Sequence, residues 1–324
     1  MNYDIFNGDA DGICALIQLR LAQPKKTVLV TGIKRDIQLL KKIDAQAGDH
    51  LTVLDISLQK NNEQVIQCLN NGAHIFYADH HQAGEIPKHP NFNALINTDP
   101  NTCTSLIINQ HLQGKYPLWA ITAAYGDNLQ HSADQLADTL GLDSSTRAKL
   151  KNLGIYINYN GYGSCIEDLH FAPDKLYQEL MSYTSPLDFI TENQGTFKQL
   201  ENGYLADMQR AAQTSPHYQT ESVAVYKLPD ETWAKRVSGV FGNDLANQYP
   251  DRAHAILTDT SAGDYQVSVR APLNNKTKAD ALCASFPTGG GRKAAAGINH
   301  LPLTEVTRFI EKFNETYSNM GLRI

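Results

Sequence analysis

Carboxylates and imidazoles recur at comparable places along the first half of the chain. Asp9 and Asp11 stand in Asp9-Ala10-Asp11-Gly12, just after the apolar run that starts at Tyr3. Asp55 closes the run Val53-Leu54, and Asp79-His80-His81 closes the run from Ile75 to Ala78. Each has a bland alternative on its own. Asp11 could cap the helix that follows, Asp9 could be solvated, Asp55 could be a simple cap, and a His pair in a loop is more often surface than ligand. Four acids and two imidazoles gathered together would repel and desolvate one another unless cations neutralised them, so a metal cluster is the economical reading. Mixed carboxylate and imidazole donors suit Mn2+.

The elements needed to gather these groups are legible. Tyr3 to Asn7, Thr27 to Thr31, Leu51 to Ile56 and Ile75 to Ala78 read as strands, and Ala10 to Ala22, Asp36 to Ala45 and Asn61 to Leu69 as helices between them. Such alternation predicts an α/β fold with a mainly parallel sheet flanked by helices, whose ligands gather beyond the carboxyl ends of the strands. Every acid above lies at such an end, with Gly12 letting the chain turn into its helix. From Ser105 to about Gln213 the pattern is helical, interrupted by the Tyr- and Asn-rich segment 156–163, and Pro216 marks a boundary. Beyond it, strands at Ser222 to Leu228, Ala253 to Leu257 and Tyr265 to Arg270, a helix at Trp233 to Gln248, a glycine-rich turn and a final helix from Thr304 make a smaller α/β domain. The expected division is a catalytic domain over 1–190, a helical linker over 191–215 and a second domain over 216–324. No internal repeat is visible, and an active site is expected in the cleft between the domains.

Composition narrows the function. At 324 residues, with 42% hydrophobic and 19% charged residues and no low-complexity tract, the chain is of the globular class and long enough for two cores. Its start lacks a basic and then apolar leader, and no run approaches ~20 apolar residues, so a cytoplasmic protein without a membrane partner is expected. Five cysteines, an odd number with no C-x-x-C pair, suggest reduced and mostly buried thiols rather than disulfides or a zinc ribbon. A net charge of -6 argues against a surface that tracks long duplex nucleic acid. Residues 214–324 hold 12 Lys and Arg against 11 Asp and Glu, so the acidity lies in residues 1–213, where metal ligands would account for part of it. Oligomeric state is open, a homodimer included.

In order and spacing, Asp9-Ala10-Asp11-Gly12, Asp55, Asp79-His80-His81 and Asp127 in Ala124-Tyr125-Gly126-Asp127 resemble the four motifs of the DHH phosphoesterases. The second domain is similar to the DHHA1 domain that accompanies them, through Ser268-Val269-Arg270 and Gly289-Gly290-Gly291-Arg292-Lys293-Ala294-Ala295-Ala296-Gly297. The likeness covers nearly the whole chain. It implies two divalent ions, usually manganese, with Asp9 and Asp55 on one, Asp11, Asp55, His80 and Asp127 on the other, and Asp55 bridging. Two such ions ~3.5 to 4 Å apart activate water for in-line attack on phosphorus and stabilise the leaving oxygen. His81 would then bind phosphate or protonate the leaving group, with support of His80 as its alternative, and Asp79 would orient an imidazole. Gly289, Gly290 and Gly291 would let a phosphate approach the backbone, with Arg270 and Arg292 supplying charge. A flexible turn and an exposed strand cation are the plainer readings there. Lys34, Arg35, Lys235 and Arg236 are further phosphate candidates, each as well explained as a solvated pair.

Two departures matter. Many members carry a metal-binding His four residues before the first aspartate; here that residue is Ile5, and Asn7 is left to substitute through its carbonyl oxygen. A neutral amide in place of imidazole predicts that one ion binds more loosely than the other. Many also have His where this chain has Arg292, which keeps charge without titrating near neutral pH. Activities implied by the family include single-strand exonucleases, pyrophosphatases and exopolyphosphatases, and phosphodiesterases for cyclic dinucleotides or their linear products. The acidic balance and compact size favour a linear dinucleotide, pGpG ahead of pApA, hydrolysed to GMP or AMP in cyclic dinucleotide turnover. A nucleotide sensor that has lost the chemistry is the reading from another class.

Overall fold

The computed structural model describes Met1–Ser318, and the chain divides into two compact units, Met1–Gly203 and the residues from Tyr204 onward. The first unit begins with β1 (Asn2–Phe6), α1 (Ala10–Ala22), β2 (Val28–Val30), β3 (His50–Leu54), α2 (Leu58–Asn70), β4 (His74–Asp79) and β5 (Phe92–Ile96). There follow α3 (Thr104–His111), α4 (Pro117–Gly126), α5 (Gln130–Thr139), α6 (Ser144–Asn160), α7 (Pro173–Met181), α8 (Pro186–Glu192) and α9 (Gln194–Ala212), the last of which carries the division between units. The five strands are all parallel, in the order β2-β1-β3-β4-β5. Strand order reverses between β1 and β3, the position where sheets of this topology hold ligands. Register makes this concrete: Phe6 pairs with Leu54 and Leu54 with Ala78, so Asn7 and Asp55, just past their strands, fall in one row with Asp79, the last residue of β4.

Helix α1 is apolar around its circumference, and every residue from Ala10 to Arg20 is buried. It packs on the sheet and beneath α3, α4, α6 and α7. Its one internal cation is paired: Arg20 donates to both carboxylate oxygens of Asp4, at 2.8 and 2.5 Å, and to Thr52 Oγ1 at 2.9 Å. Helices α4 and α6 meet through glycines. A Cβ on Gly154 would lie 2.0 Å from the Thr122 carbonyl oxygen, and one on Gly126 would lie 2.6 Å from that of Gly154. This backbone contact fixes the end of α4, where Asp127 follows.

Two expectations about this unit are corrected. Asp36 to Ala45 is not a helix; only the 3-10 turn Leu39–Lys42 forms, and Ile43 is extended. Asn61 on α2 donates to the Ile37 carbonyl at 2.7 Å, taking an acceptor that a helix would have used, while Leu39 and Leu40 are drawn into the core. The strand β5, absent from the sequence reading, is a half-buried edge strand without clean alternation.

The second unit contains β6 (Tyr218–Gln219), β7 (Val223–Leu228), α10 (Thr232–Gln248), β8 (Ala253–Asp259), β9 (Asp264–Arg270), α11 (Ala279–Ala284), β10 (Gly289–Gly291), β11 (Ala295–Pro302) and α12 (Val306–Ser318). Its mixed sheet runs β10-β11-β9-β8-β7-β6, parallel only between β7 and β8. Phe309, Phe313 and Tyr317 recur every four residues on α12 and join Val225, Leu257, Val267 and Phe286 in the core. The triple glycine is not itself a turn: Gly289 and Gly291 pair with Ile298 and Ala296, making it an edge strand with the turn after it. Among the described residues, no helix is long and apolar enough to cross a membrane.

Candidate metal centre

Four acids converge beyond the β1, β3 and β4 ends, each held by a different device. Asp9 caps α1, its Oδ1 accepting from the Asp11 and Gly12 amides at 3.0 and 3.1 Å. Asp11 points from the first turn of α1 to the start of α3, accepting from the Thr104 and Ser105 amides, both at 2.7 Å. Both therefore sit at helix N-termini, which favour negative charge. Asp55 takes a left-handed backbone (φ 58°) straight after β3, and Asp127 occupies the C-cap of α4. That helix end carries partial negative charge and disfavours a carboxylate. Left-handed backbone outside glycine is uncommon and concentrates at functional sites.

The two histidines of the motif have separate environments. His80 Nδ1 lies 3.0 Å from the Thr102 carbonyl, an oxygen that can only accept, so the proton is on Nδ1 and the Nε2 lone pair faces inward. That Nε2 stands 3.4 Å from Asp55 Oδ1, 3.8 Å from Asp11 Oδ2 and 4.0 Å from Asp127 Oδ2. His81 turns away: its Nδ1 is 2.7 Å from Asp79 Oδ1, and its side chain is 26% exposed against 5% for His80. Asp79 is fully buried, and its remaining oxygen, Oδ2, has no hydrogen-bond partner. Asp55, His80 and His81 could all offer atoms to one ion, but the bond to Asp79 commits His81 Nδ1 elsewhere.

Electrostatics show where a cation is wanted. Burial, reinforced by Asp11, Asp9, Asp127 and Asp79, pushes the Asp55 carboxyl well above the usual carboxylate range. Burial alone would raise Asp9 too, but Lys34 beside it holds Asp9 below its ordinary value. Cys14 and Cys103, buried near Asp11, are pushed far up by burial and by that carboxylate. An ion bonded at about 2.1 Å to nitrogen and oxygen holds its donors roughly 3 to 4.2 Å apart. The three distances from His80 Nε2 lie inside that window, so Asp11, Asp55 and Asp127 each stand where a carboxylate oxygen could share a divalent cation with His80.

The sequence reading set aside Lys34, which here enters the acid cluster. Its Nζ is 2.5 Å from Asp9 Oδ2, 2.8 Å from Asn158 Oδ1 and 3.5 Å from Asp127 Oδ1. A signal was present, since Lys34 also follows a strand end. Asn158 carried none, because it projects from a helix remote in sequence. Asn7 is buried; its amide nitrogen donates to the Lys34 carbonyl at 3.2 Å and its Oδ1 has no hydrogen-bond partner.

In the second unit Arg270 is committed to its surroundings, donating to Asn243 Oδ1 (2.5 Å), Ser268 Oγ (3.1 Å), the Val269 carbonyl (3.2 Å) and the Gly239 carbonyl (3.2 Å). Arg292 is exposed at the turn after β10. Gly289 and Gly291 admit no side chain, as a Cβ would lie 1.8 Å from the Cys283 carbonyl oxygen and 2.5 Å from Ala296 Cα, respectively, whereas Gly290 faces open space.

No protein-family model and no curated protein matches this chain. Solved structures do. A manganese-bound exonuclease RecJ is similar over 98% of this chain and 90% of its own, with 14% identity and a TM-score of 0.61. A pGpG-specific phosphodiesterase from Vibrio cholerae is similar over 98% of both chains, with 14% identity and a TM-score of 0.58. An exopolyphosphatase-related protein from Bacteroides fragilis covers 98% of this chain and 92% of its own, with 14% identity and a TM-score of 0.54. Over nearly its whole length, the chain shares the fold of these three proteins.

Proposed function

We propose that the protein is a metal-dependent phosphodiesterase of the DHH/DHHA1 type that splits short linear oligonucleotides, pGpG or pApA first among them, into mononucleotides. One observation carries this reading: a cation-demanding cluster of Asp11, Asp55, His80 and Asp127 stands beside a second histidine, His81, that a buried carboxylate orients and solvent reaches. A divalent cation bound by that cluster, Mn2+ by its donor chemistry, supplies Lewis-acid polarisation of the phosphate and acidifies water.

The chain's own residues do the rest. Thr102 keeps the His80 Nε2 lone pair directed inward, and the amides of Thr104 and Ser105 hold Asp11 in place. Hydrolysis forms one phosphorus–oxygen bond to water and breaks the ester bond to the leaving sugar oxygen. That oxygen needs a proton, and His81 Nε2 gives it while Asp79 accepts the Nδ1 hydrogen and steadies the ring. The proton released by water restores the balance. Arg292, with the exposed Gly290 backbone, is our choice for substrate phosphate in the second unit; Arg270, held by four acceptors, supports α10 and contributes charge. A cytoplasmic location is part of this proposal, and five free cysteines are in keeping with it.

The test is to incubate the protein with Mn2+ and, separately, pGpG, pApA, longer RNA, cyclic di-GMP and polyphosphate. A variant with Asp79, His80 and His81 all changed to Ala controls for contamination. Conversion of dinucleotide to mononucleotide by the parent alone supports the proposal. Preference for longer RNA or polyphosphate moves the function to an exonuclease or polyphosphatase of the same fold, and no cleavage with any metal makes the sensor reading the better one.

A further inference from the structure

Lys34 is built into the centre rather than laid across it. Its amide donates to the Gly161 carbonyl at 2.8 Å and its carbonyl accepts from Asn7 Nδ2 at 3.2 Å, so the backbone is pinned on both sides. The ammonium lies near three oxygens, those of Asp9, Asn158 and Asp127, with the ring of Tyr162 at 5.5 Å. Three donors thus face three acceptors, and the side chain is only 20% exposed. A divalent ion beside Asp9 would meet poor terms. Asp9 Oδ1 already serves two amides, Asp9 Oδ2 is taken by Lys34, and Ile5, fully buried, has nothing to coordinate with. The buried Asn7 Oδ1 has no hydrogen-bond partner, but it is a neutral donor. Asp127 stands between the two halves, one oxygen toward Lys34 and the other toward His80.

Resting on the metal-dependent reading above, we propose that Lys34 is a resident cation: its ammonium takes the place beside Asp9 that a second divalent ion holds in two-metal phosphohydrolases. The centre then takes one divalent ion, on Asp11, Asp55, His80 and Asp127, and a lysine completes the charge.

Metal stoichiometry tests this independently of turnover. Purified protein is loaded with Mn2+, freed of excess, and measured by elemental analysis and electron paramagnetic resonance. The parent is expected to hold one Mn2+ per chain with an uncoupled spectrum. Lys34→Gln, which removes the ammonium, is expected to rise to two ions per chain with an exchange-coupled spectrum; Lys34→Arg, which keeps a cation, is expected to stay at one. Two coupled ions in the parent would overturn the inference while upholding a metal-dependent enzyme. No bound ion in the parent would overturn the metal-dependent reading itself and the inference with it. If Lys34→Gln folds, by circular dichroism, and still holds a single ion, Lys34 is not what fills the second place and the assignment fails.

Discussion

Changing Asp79 to Asn is the substitution that bears most directly on the division of labour between the two histidines. The carboxylate accepts from His81 Nδ1 at 2.7 Å and is fully buried, so no solvent competes for it. A hydrogen bond to a charged partner is worth about 1.5 to 3 kcal/mol. The amide oxygen of Asn keeps the geometry of that bond but removes its charge, and the new NH2 would fall where Asp79 Oδ2 has no partner. With a factor of ten in rate for roughly each 1.4 kcal/mol, Asp79→Asn should lower kcat about 10- to 150-fold. KM should change little, and Mn2+ affinity should be retained, because His80 is oriented by Thr102 and not by Asp79. Steady-state hydrolysis of pGpG followed by chromatography gives the first quantity, and calorimetric Mn2+ titration gives the second. Full kcat in the variant, or loss of Mn2+ binding as severe as in His80→Ala, would refute the separation of roles.

Mn2+ binding should release a proton, because burial and neighbouring acids raise Asp55. Above the ordinary carboxylate range the folded apoprotein binds more protons than the unfolded chain, so its stability falls as pH rises through the raised Asp55 value, while apparent Mn2+ affinity climbs; calorimetry in buffers of different ionisation enthalpy would show the release or its absence. His254, fully buried, is pushed by burial and Arg252 down to about 4 from its usual 6.5. Its contribution to stability is complete above 6.5 and is lost as pH falls toward 4, up to about 3 kcal/mol; denaturant melts of His254→Leu should show a flatter acid limb than the parent. Asp4→Ala strands Arg20 in the core and should cost about 3 to 5 kcal/mol in the same assay. Gly154→Ala drives a methyl into the Thr122 carbonyl and should cost about 1 to 3 kcal/mol while weakening Mn2+ binding by moving Asp127; Gly195→Ala, which meets nothing, is the control.

What the sequence made legible was everything set by strand ends. Asp55 and Asp79 follow apolar residues directly and Asp9 lies three residues past Phe6, and parallel register aligns those strand ends whatever the helices do. Helix α1 was equally plain, being apolar throughout and stopped at Ala22, just ahead of Pro24. The Asp36 to Ala45 segment misled because its apolar spacing was real; a side chain from α2, Asn61, decided the outcome, and no local pattern carries that. Edge strand β5 lacked alternation for the same reason that it is half-buried. The carboxylates and imidazoles that the fold brings together were named in advance as candidates, but not their allegiance. That His80 answers to Thr102, His81 to Asp79 and Lys34 to Asp9 depends on contacts across the chain, and two adjacent histidines look alike until their Nδ1 partners are known.

The glycines around the acid cluster carry a consequence for how such a centre can change. A Cβ on Gly8 would stand 2.0 Å from the Gly32 carbonyl oxygen, one on Gly12 would stand 2.2 Å from that of Asn7, and one on Gly161 would stand 3.1 Å from Asp9 Cα. At these three glycines the chain beside Asp9 meets main chain, which leaves no room for a side chain at any of them. A substitution that changes the chemistry here without moving the backbone must therefore fall on the donors themselves, such as Lys34, and each such change resets how charge is balanced.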